Sequence, residues 1–331
     1  MYFLTYSLIL FSGLVHYLDR RVGVFFYIVS MGLIGLQLDS LLEVADLRWY
    51  RDTFEILDLD NLLLLVIQND FEFLWFVLVI VGKYLIGDQN LSIGYVSFFI
   101  YASIFFSKKC RDQIPLFSAF MLYPGSFLLQ ANVLRQGYSE YFVMAYFFID
   151  SYLIGLCAIF FHRFSLVLVV GKLLIQNLVN VRLIYFFQIV GIFLVICLRD
   201  YIDIGVYDQL SVSYYSLSAK FLIYSAPFLL LIIIFGLNSC ELNFYFRFSI
   251  FVFLLAALFS VLHPRMGDRV VFYVLPFSLI AYFDMTKSRR SLQVFILLLS
   301  FFGSISTYFL DSYQEFFDSG IRVTEEIDHV K

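Results

Sequence analysis

The chain has 331 residues, of which 62% are hydrophobic, 21% aromatic and only 15% charged. That apolar share lies well above that of a water-soluble domain. The net charge is −4 and the basic residues are scattered in ones and twos, which excludes the basic footprint that nucleic acid requires. Cys110, Cys157, Cys197 and Cys240 have no paired spacing for zinc or for a redox motif, and they read as packing residues.

At about 17 to 25 apolar residues per membrane crossing, the runs in chain order are 2–18, 22–38, 71–86, 91–107, 113–134, 138–161, 164–181, 183–198, 217–237, 246–262, 269–283 and 291–310. The first has no basic leader and no small-residue cleavage site before the next run begins, so it reads as a retained helix and not a signal peptide. Pro124-Gly125 divides the fifth run as a kink or a re-entrant loop would. No internal repeat and no low-complexity linker interrupts the series. The pattern predicts an all-α, polytopic integral membrane protein with about 11–12 transmembrane helices. It forms a single domain over 1–310, with outward loops near 39–70 and 199–216 and a polar tail over 311–331.

Short loops rich in Lys and Arg stay on the cytoplasmic side. Arg20-Arg21, Lys108-Lys109-Cys110-Arg111 and Lys287-Ser288-Arg289-Arg290 are the basic clusters. Counting back from Lys287 turns "HPRMGDR" (263–269), the 199–216 stretch and Arg135 outward. The count does not close at the front of the chain. Either 53–68 dips into the membrane despite its acids, or Pro124 marks a re-entrant hairpin and Lys108 faces out.

Three outward segments hold most of the polar chemistry: "DLRWYRDTFE" (46–55), "NVLRQG" (132–137) and "HPRMGDR". They supply Arg48, Arg51, Arg135, Arg265 and Arg269, whose planar guanidinium groups suit bidentate contact with phosphate. Each segment has a plainer reading: an interfacial anchor for Arg135, a tight loop offset by Asp268 for Arg265 and Arg269, and local ion pairs for Arg48 and Arg51. Only their coincidence on one side favours a lipid diphosphate as ligand. His162, in "FFHRFS", reads either as a satisfied polar spot between helices or as a proton acceptor. Asp58-Leu59-Asp60 has the spacing of a metal-holding triplet but lacks the α/β nucleotide domain that such a triplet serves, so no metal and no cofactor is predicted. Glu72, Glu140 and Asp150 are the remaining carboxylates in or near the apolar runs, each explicable by pairing with a neighbouring helix.

The order "LR..RDT" (Leu47, Arg48, Arg51, Asp52, Thr53), "FEFLWFVL" (71–78), "N..RQG" (Asn132, Arg135, Gln136, Gly137) and "FHRFSLVL" (161–168) resembles the EpsG-like proteins. These belong with the Wzy-type polymerases of O-antigen and capsule. The likeness spans Leu47 to Leu168, and its most specific part is the Arg-Gln pair followed by Phe-His-x-x-Ser.

The resemblance implies a membrane glycosyltransferase of the GT-C-like kind in the bacterial inner membrane, with its active face periplasmic. Such an enzyme transfers a growing glycan from one polyprenyl diphosphate carrier to a repeat unit on a second carrier. Its partners would be the lipid-linked oligosaccharide, the bilayer and, where one operates, a chain-length regulator. Arg135, Arg48, Arg51, Arg265, Arg269 and Gln136 would bind the diphosphate, which gathers charge as the glycosidic bond breaks. His162 or Asp52 would take the proton of the attacking hydroxyl, and Trp49, Tyr50, Tyr214 and Tyr215 would stack on sugar faces. Two other classes stay open: a flippase of the lipid-linked unit, and a ligase that moves finished glycan onto a lipid core.

Overall fold

The computed structural model describes residues 2–37, 53–68, 73–124, 134–177, 181–198 and 214–308. Among the described residues the chain is all-helical, without strands. The chain divides into two compact units: residues 1–166 with 294–331, and residues 167–293. No repeat or linker in the sequence marks this division.

Unit 1 opens with α1 (Tyr2–Val15) and α2 (Arg20–Gln37), joined by a tight turn. Asp19 makes that turn by accepting from the Arg21 and Val22 amides at 2.8 and 3.2 Å, as an N-cap aspartate does. After the stretch 53–61 come α3 (Leu62–Gln68), α4 (Phe73–Ile86) and α5 (Gln89–Ser103). Gly87, at φ +79°, turns the chain between α4 and α5, a conformation open to glycine at little strain. A 3₁₀ turn (Ile104–Phe106) and α6 (Lys108–Arg111) lead into α7 (Ile114–Leu122), which stops just before Pro124. Then follow α8 (Leu134–Ile149) and α9 (Tyr152–Phe161).

The centre of unit 1 is aromatic. Tyr27, Tyr101, Tyr138 and Tyr141 and Trp75 are all fully buried. Buried phenols need partners; the Tyr27 and Tyr141 hydroxyls share a hydrogen bond, as do those of Ser97 and Tyr138. Ring contacts Tyr27–Phe105, Tyr101–Tyr141 and Phe117–Tyr141 at 5.0, 4.7 and 5.4 Å lock α2, α5, α7 and α8 in register.

Arg20 on α2 meets Asp112, just beyond α6, at 2.9 Å. This pair sets Arg20-Arg21 and Lys108–Arg111 at one end of unit 1. The start of α5 lies at the other end, and so does the stretch before α3, because Lys83 Nζ near the end of α4 donates to the Leu57 carbonyl at 2.7 Å. Within the stretch 53–68, α3 packs on α4.

Several sequence expectations change in detail. The run 138–161, expected as one crossing, is two helices, because Asp150 takes a left-handed φ of +59° and breaks the helix between Ile149 and Tyr152. The segment 53–68, expected within an outward loop, contains α3. Tyr214 and Tyr215, also expected in a loop, begin a helix.

Unit 2 holds most of α10 (Ser165–Asn177), then α11 (Val181–Leu198), α12 (Tyr214–Phe235), α13 (Leu237–Glu241), α14 (Phe244–Leu262), α15 (Pro264–Val271) and α16 (Val274–Met285); α17 (Arg290–Tyr308) starts here and ends in unit 1. Asn243 caps α14 by accepting from the Phe246 amide at 3.0 Å and donates to Asp284 at 2.7 Å. In "HPRMGDR", residues from Pro264 on form helix α15, which sets aside the plainer reading of a tight loop, and the run 269–283 is divided by the turn at 272–273. Gly267 lets α15 fold against the last turn of α14, since a Cβ there would overlap both the backbone and the side chain of Ser260.

Two helical segments, Leu217–Phe235 and Phe244–Leu262, are long and apolar enough to cross a membrane. The other apolar helices among the described residues, such as Phe73–Ile86 and Tyr152–Phe161, are shorter.

Candidate functional site

The site begins with the break at Asp150. It folds α9 back along α8, and Ser139 Oγ donates to the Ala158 carbonyl at 3.1 Å. Ser139 also shares a hydrogen bond with Ser165, at the start of α10. Tyr138 and Phe142 close on Phe161 at 5.5 and 5.4 Å.

Arg135 stands four residues before Ser139, and His162 four residues after Ala158. Four residues make about one helical turn, or about 5.4 Å along the axis, and the two helices run in opposite directions. Both residues therefore reach the same end of unit 1, within about a turn of each other. Had 138–161 been one helix, they would have stood at opposite ends.

That end is the one away from Arg20, Arg21 and Lys108–Arg111. Tyr27, Phe117 and Tyr141 lie between, and the far ends of α8 and α5 lead down to α6. Arg135 is half-buried in the first turn of α8. His162 caps α9 in an extended conformation and is half-buried too; its amide donates to the Ala158 carbonyl and its carbonyl accepts from Ser165, each at 3.0 Å.

Gln136 is 1% exposed and donates through Nε2 to Glu140 Oε1 at 3.2 Å. The sequence reading gave Glu140 no part in the site. The i, i+4 spacing of Gln136 and Glu140 was the available signal, since such residues face each other on a helix.

The other expected site residues fall elsewhere. Arg48, Trp49, Tyr50, Arg51 and Asp52 lie outside the described residues. Arg265 and Arg269 belong to α15 in unit 2, with Arg269 exposed. Tyr214 and Tyr215 are in the first turn of α12.

Within unit 2 these last four share an end. Phe272, just past α15, meets Lys220 and Tyr224 of α12 at 5.4 and 5.2 Å. The basic turn 287–290 sits at the opposite end, where Arg289 lies over Phe235 at 5.1 Å. Arg135 in unit 1, and Arg265 and Arg269 in unit 2, are thus at the end away from that unit's basic cluster.

Asp58, the first residue of the Asp-x-Asp triplet, serves a turn. Its carboxylate accepts from the Leu59 amide at 2.8 Å and from the Tyr84 hydroxyl. The Tyr84 hydrogen bond, reinforced by the Leu59 amide, holds the Asp58 carboxyl below the usual range.

Compared with protein-family models, curated proteins and solved structures, the chain finds no match in any of the three.

Proposed function

We propose that the chain is a polytopic inner-membrane glycosyltransferase of the Wzy type. It joins polyprenyl-diphosphate-linked oligosaccharide repeat units into O-antigen or a related surface polysaccharide at the periplasmic face. The observation that carries this reading is the α8–α9 hairpin, which brings Arg135, Gln136 and His162 to the end of unit 1 away from its basic cluster. Under the positive-inside rule, a basic cytoplasmic end leaves this end outward.

The outer surface of α11 supports a lipid setting. Phe186, Phe187, Ile189, Phe193, Leu194 and Ile196 are each more than half exposed, a concentration of apolar surface that hydrocarbon accommodates better than water does. Turns such as the one at Asp150 shorten several helices without moving the site away from one end.

The chemistry follows from charge. The acceptor hydroxyl oxygen attacks the anomeric carbon of the donor glycan while the bond from that carbon to the diphosphate oxygen breaks. The electron pair goes to the diphosphate, where a preorganised guanidinium such as that of Arg135 stabilises the developing charge. The hydroxyl proton passes to the His162 imidazole, with Asp52 the second candidate. Arg265 and Arg269 are assigned to the same lipid diphosphate chemistry, Arg48 and Arg51 with them, and Trp49, Tyr50, Tyr214 and Tyr215 to the sugars.

The test is a gel of surface glycan from a strain lacking this chain, complemented with wild type or with Arg135→Lys. Loss of a polymerase leaves single repeat units on the lipid core. Arg135→Lys keeps the charge but loses the planar fork, so its ladder stays defective at normal protein level. Core without any repeat unit in the deletion strain indicates a flippase or a ligase and overturns the proposal, as does a normal ladder from Arg135→Lys.

A further inference from the structure

Glu140 is wholly buried, at 0% exposure, in the middle of the most enclosed stretch of α8. Its Oε1 accepts from Gln136. Its Oε2 is equally buried and has no hydrogen-bond partner among the described residues. A buried acid with an unsatisfied oxygen weakens a fold, and replacing such a buried polar pair by apolar side chains of similar volume is often neutral or stabilising. Packing therefore does not explain a glutamate at this position.

The direction of the side chain suggests what does. Side chains on a helix tilt toward its N-terminus, so the Glu140 carboxyl is carried up toward Gln136 and Arg135. Tyr138 and Tyr141, on either side of it in sequence, are fixed by Ser97 and Tyr27, which limits any shift of α8 beneath it. We propose that Glu140 is a positioning residue, holding the Gln136 carboxamide in the plane from which it meets the substrate diphosphate beside Arg135. This rests on the reading of Arg135 and Gln136 as the diphosphate end of a transferase site. The bond from Nε2 to Glu140 fixes the plane of the Gln136 carboxamide.

The test uses the full-length chain in the deletion strain, with surface-glycan ladders and protein levels, and thermal unfolding of the purified variants. Glu140→Leu removes the unsatisfied oxygen but also the acceptor of the buried Gln136 amide, so it is expected to accumulate and to unfold somewhat below the wild-type temperature. Its ladder should fall by roughly tenfold or more, the scale of one hydrogen bond made to a charged group. Glu140→Gln keeps an oxygen acceptor for Gln136, and it should restore the ladder to within a few-fold of wild type. Glu140→Met replaces the leucine variant if that one does not accumulate.

A folded Glu140→Leu with a full ladder overturns the proposal, as does a folded Glu140→Gln no better than the leucine variant. Failure of both apolar variants to accumulate makes Glu140 a structural residue and overturns it too. Gln136→Ala separates the two levels of the argument. If its ladder is normal, the site reading itself fails; if it is defective while Glu140→Leu is fully active, only the role of Glu140 fails.

Discussion

Ser139 donates to the carbonyl of Ala158 at 3.1 Å, and this contact sets the register in which α8 and α9 lie against each other. Slipping α9 by one turn would carry His162 about 5.4 Å along the axis, out of step with Arg135.

Ser139→Ala removes that bond and leaves the buried Ser165 hydroxyl without its partner on Ser139. A loss of about 1–3 kcal/mol is expected, read as a lower unfolding temperature of the purified protein. Glycan polymerisation should fall further than protein level does, because register is lost as well as stability. A variant with wild-type unfolding and a normal ladder would show that the hairpin is held by other contacts.

His16 predicts a dependence on pH. It closes the α1–α2 turn at 6% exposure. Burial, reinforced by the positive charge of Arg20, holds its imidazole below the ordinary value of 6.5, although Asp112 pulls the other way. Because the folded state binds this proton more weakly than the unfolded state, the stabilisation is present above about pH 6.5 and is lost as pH falls through the folded value. Wild type should lose unfolding temperature on acidification through that window. His16→Leu, which keeps the Cβ that Gly23 packs near, should lose less; equal slopes for the two would assign the acid sensitivity to other groups.

Gly267 makes a prediction for unit 2. A methyl group there would collide with both the backbone and the side chain of Ser260, and backbone does not yield as a flexible side chain does. Gly267→Ala should therefore push α15 off α14, destabilise the protein by about 1–3 kcal/mol and displace Arg265 and Arg269. Unchanged thermal unfolding would mean that the two helices do not approach this closely.

Much of the helical layout is legible in the sequence where an apolar run is bounded by charge or by turn-forming residues. The run 246–262 is α14 to within two residues at its start, because Asn243 caps one end and His263-Pro264 closes the other. The break at Asp150 is not legible in the same way. Phe147 to Leu156 is apolar on both sides of a single Asp-Ser pair, and hydropathy averages over two residues that here reverse the chain. Arg135 and His162 stand out because charge or an imidazole is expensive amid apolar residues. Their shared level could not be read, since it follows from the reversal. Glu140 looked like any carboxylate near a crossing until its burial and its contact with Gln136 were visible.

The central claim is that Arg135 and His162 open on one side of the membrane and the basic end of unit 1 on the other. It is tested most directly by labelling single cysteines with a membrane-impermeant maleimide. The four native cysteines are replaced by serine, and Arg135→Cys, His162→Cys, Arg21→Cys and Lys109→Cys are introduced one at a time. The account predicts that 135 and 162 label from the periplasmic side, while 21 and 109 label only once the inner membrane is opened. Labelling of 135 and 162 from opposite sides, or of 135 and 21 from the same side, would contradict it.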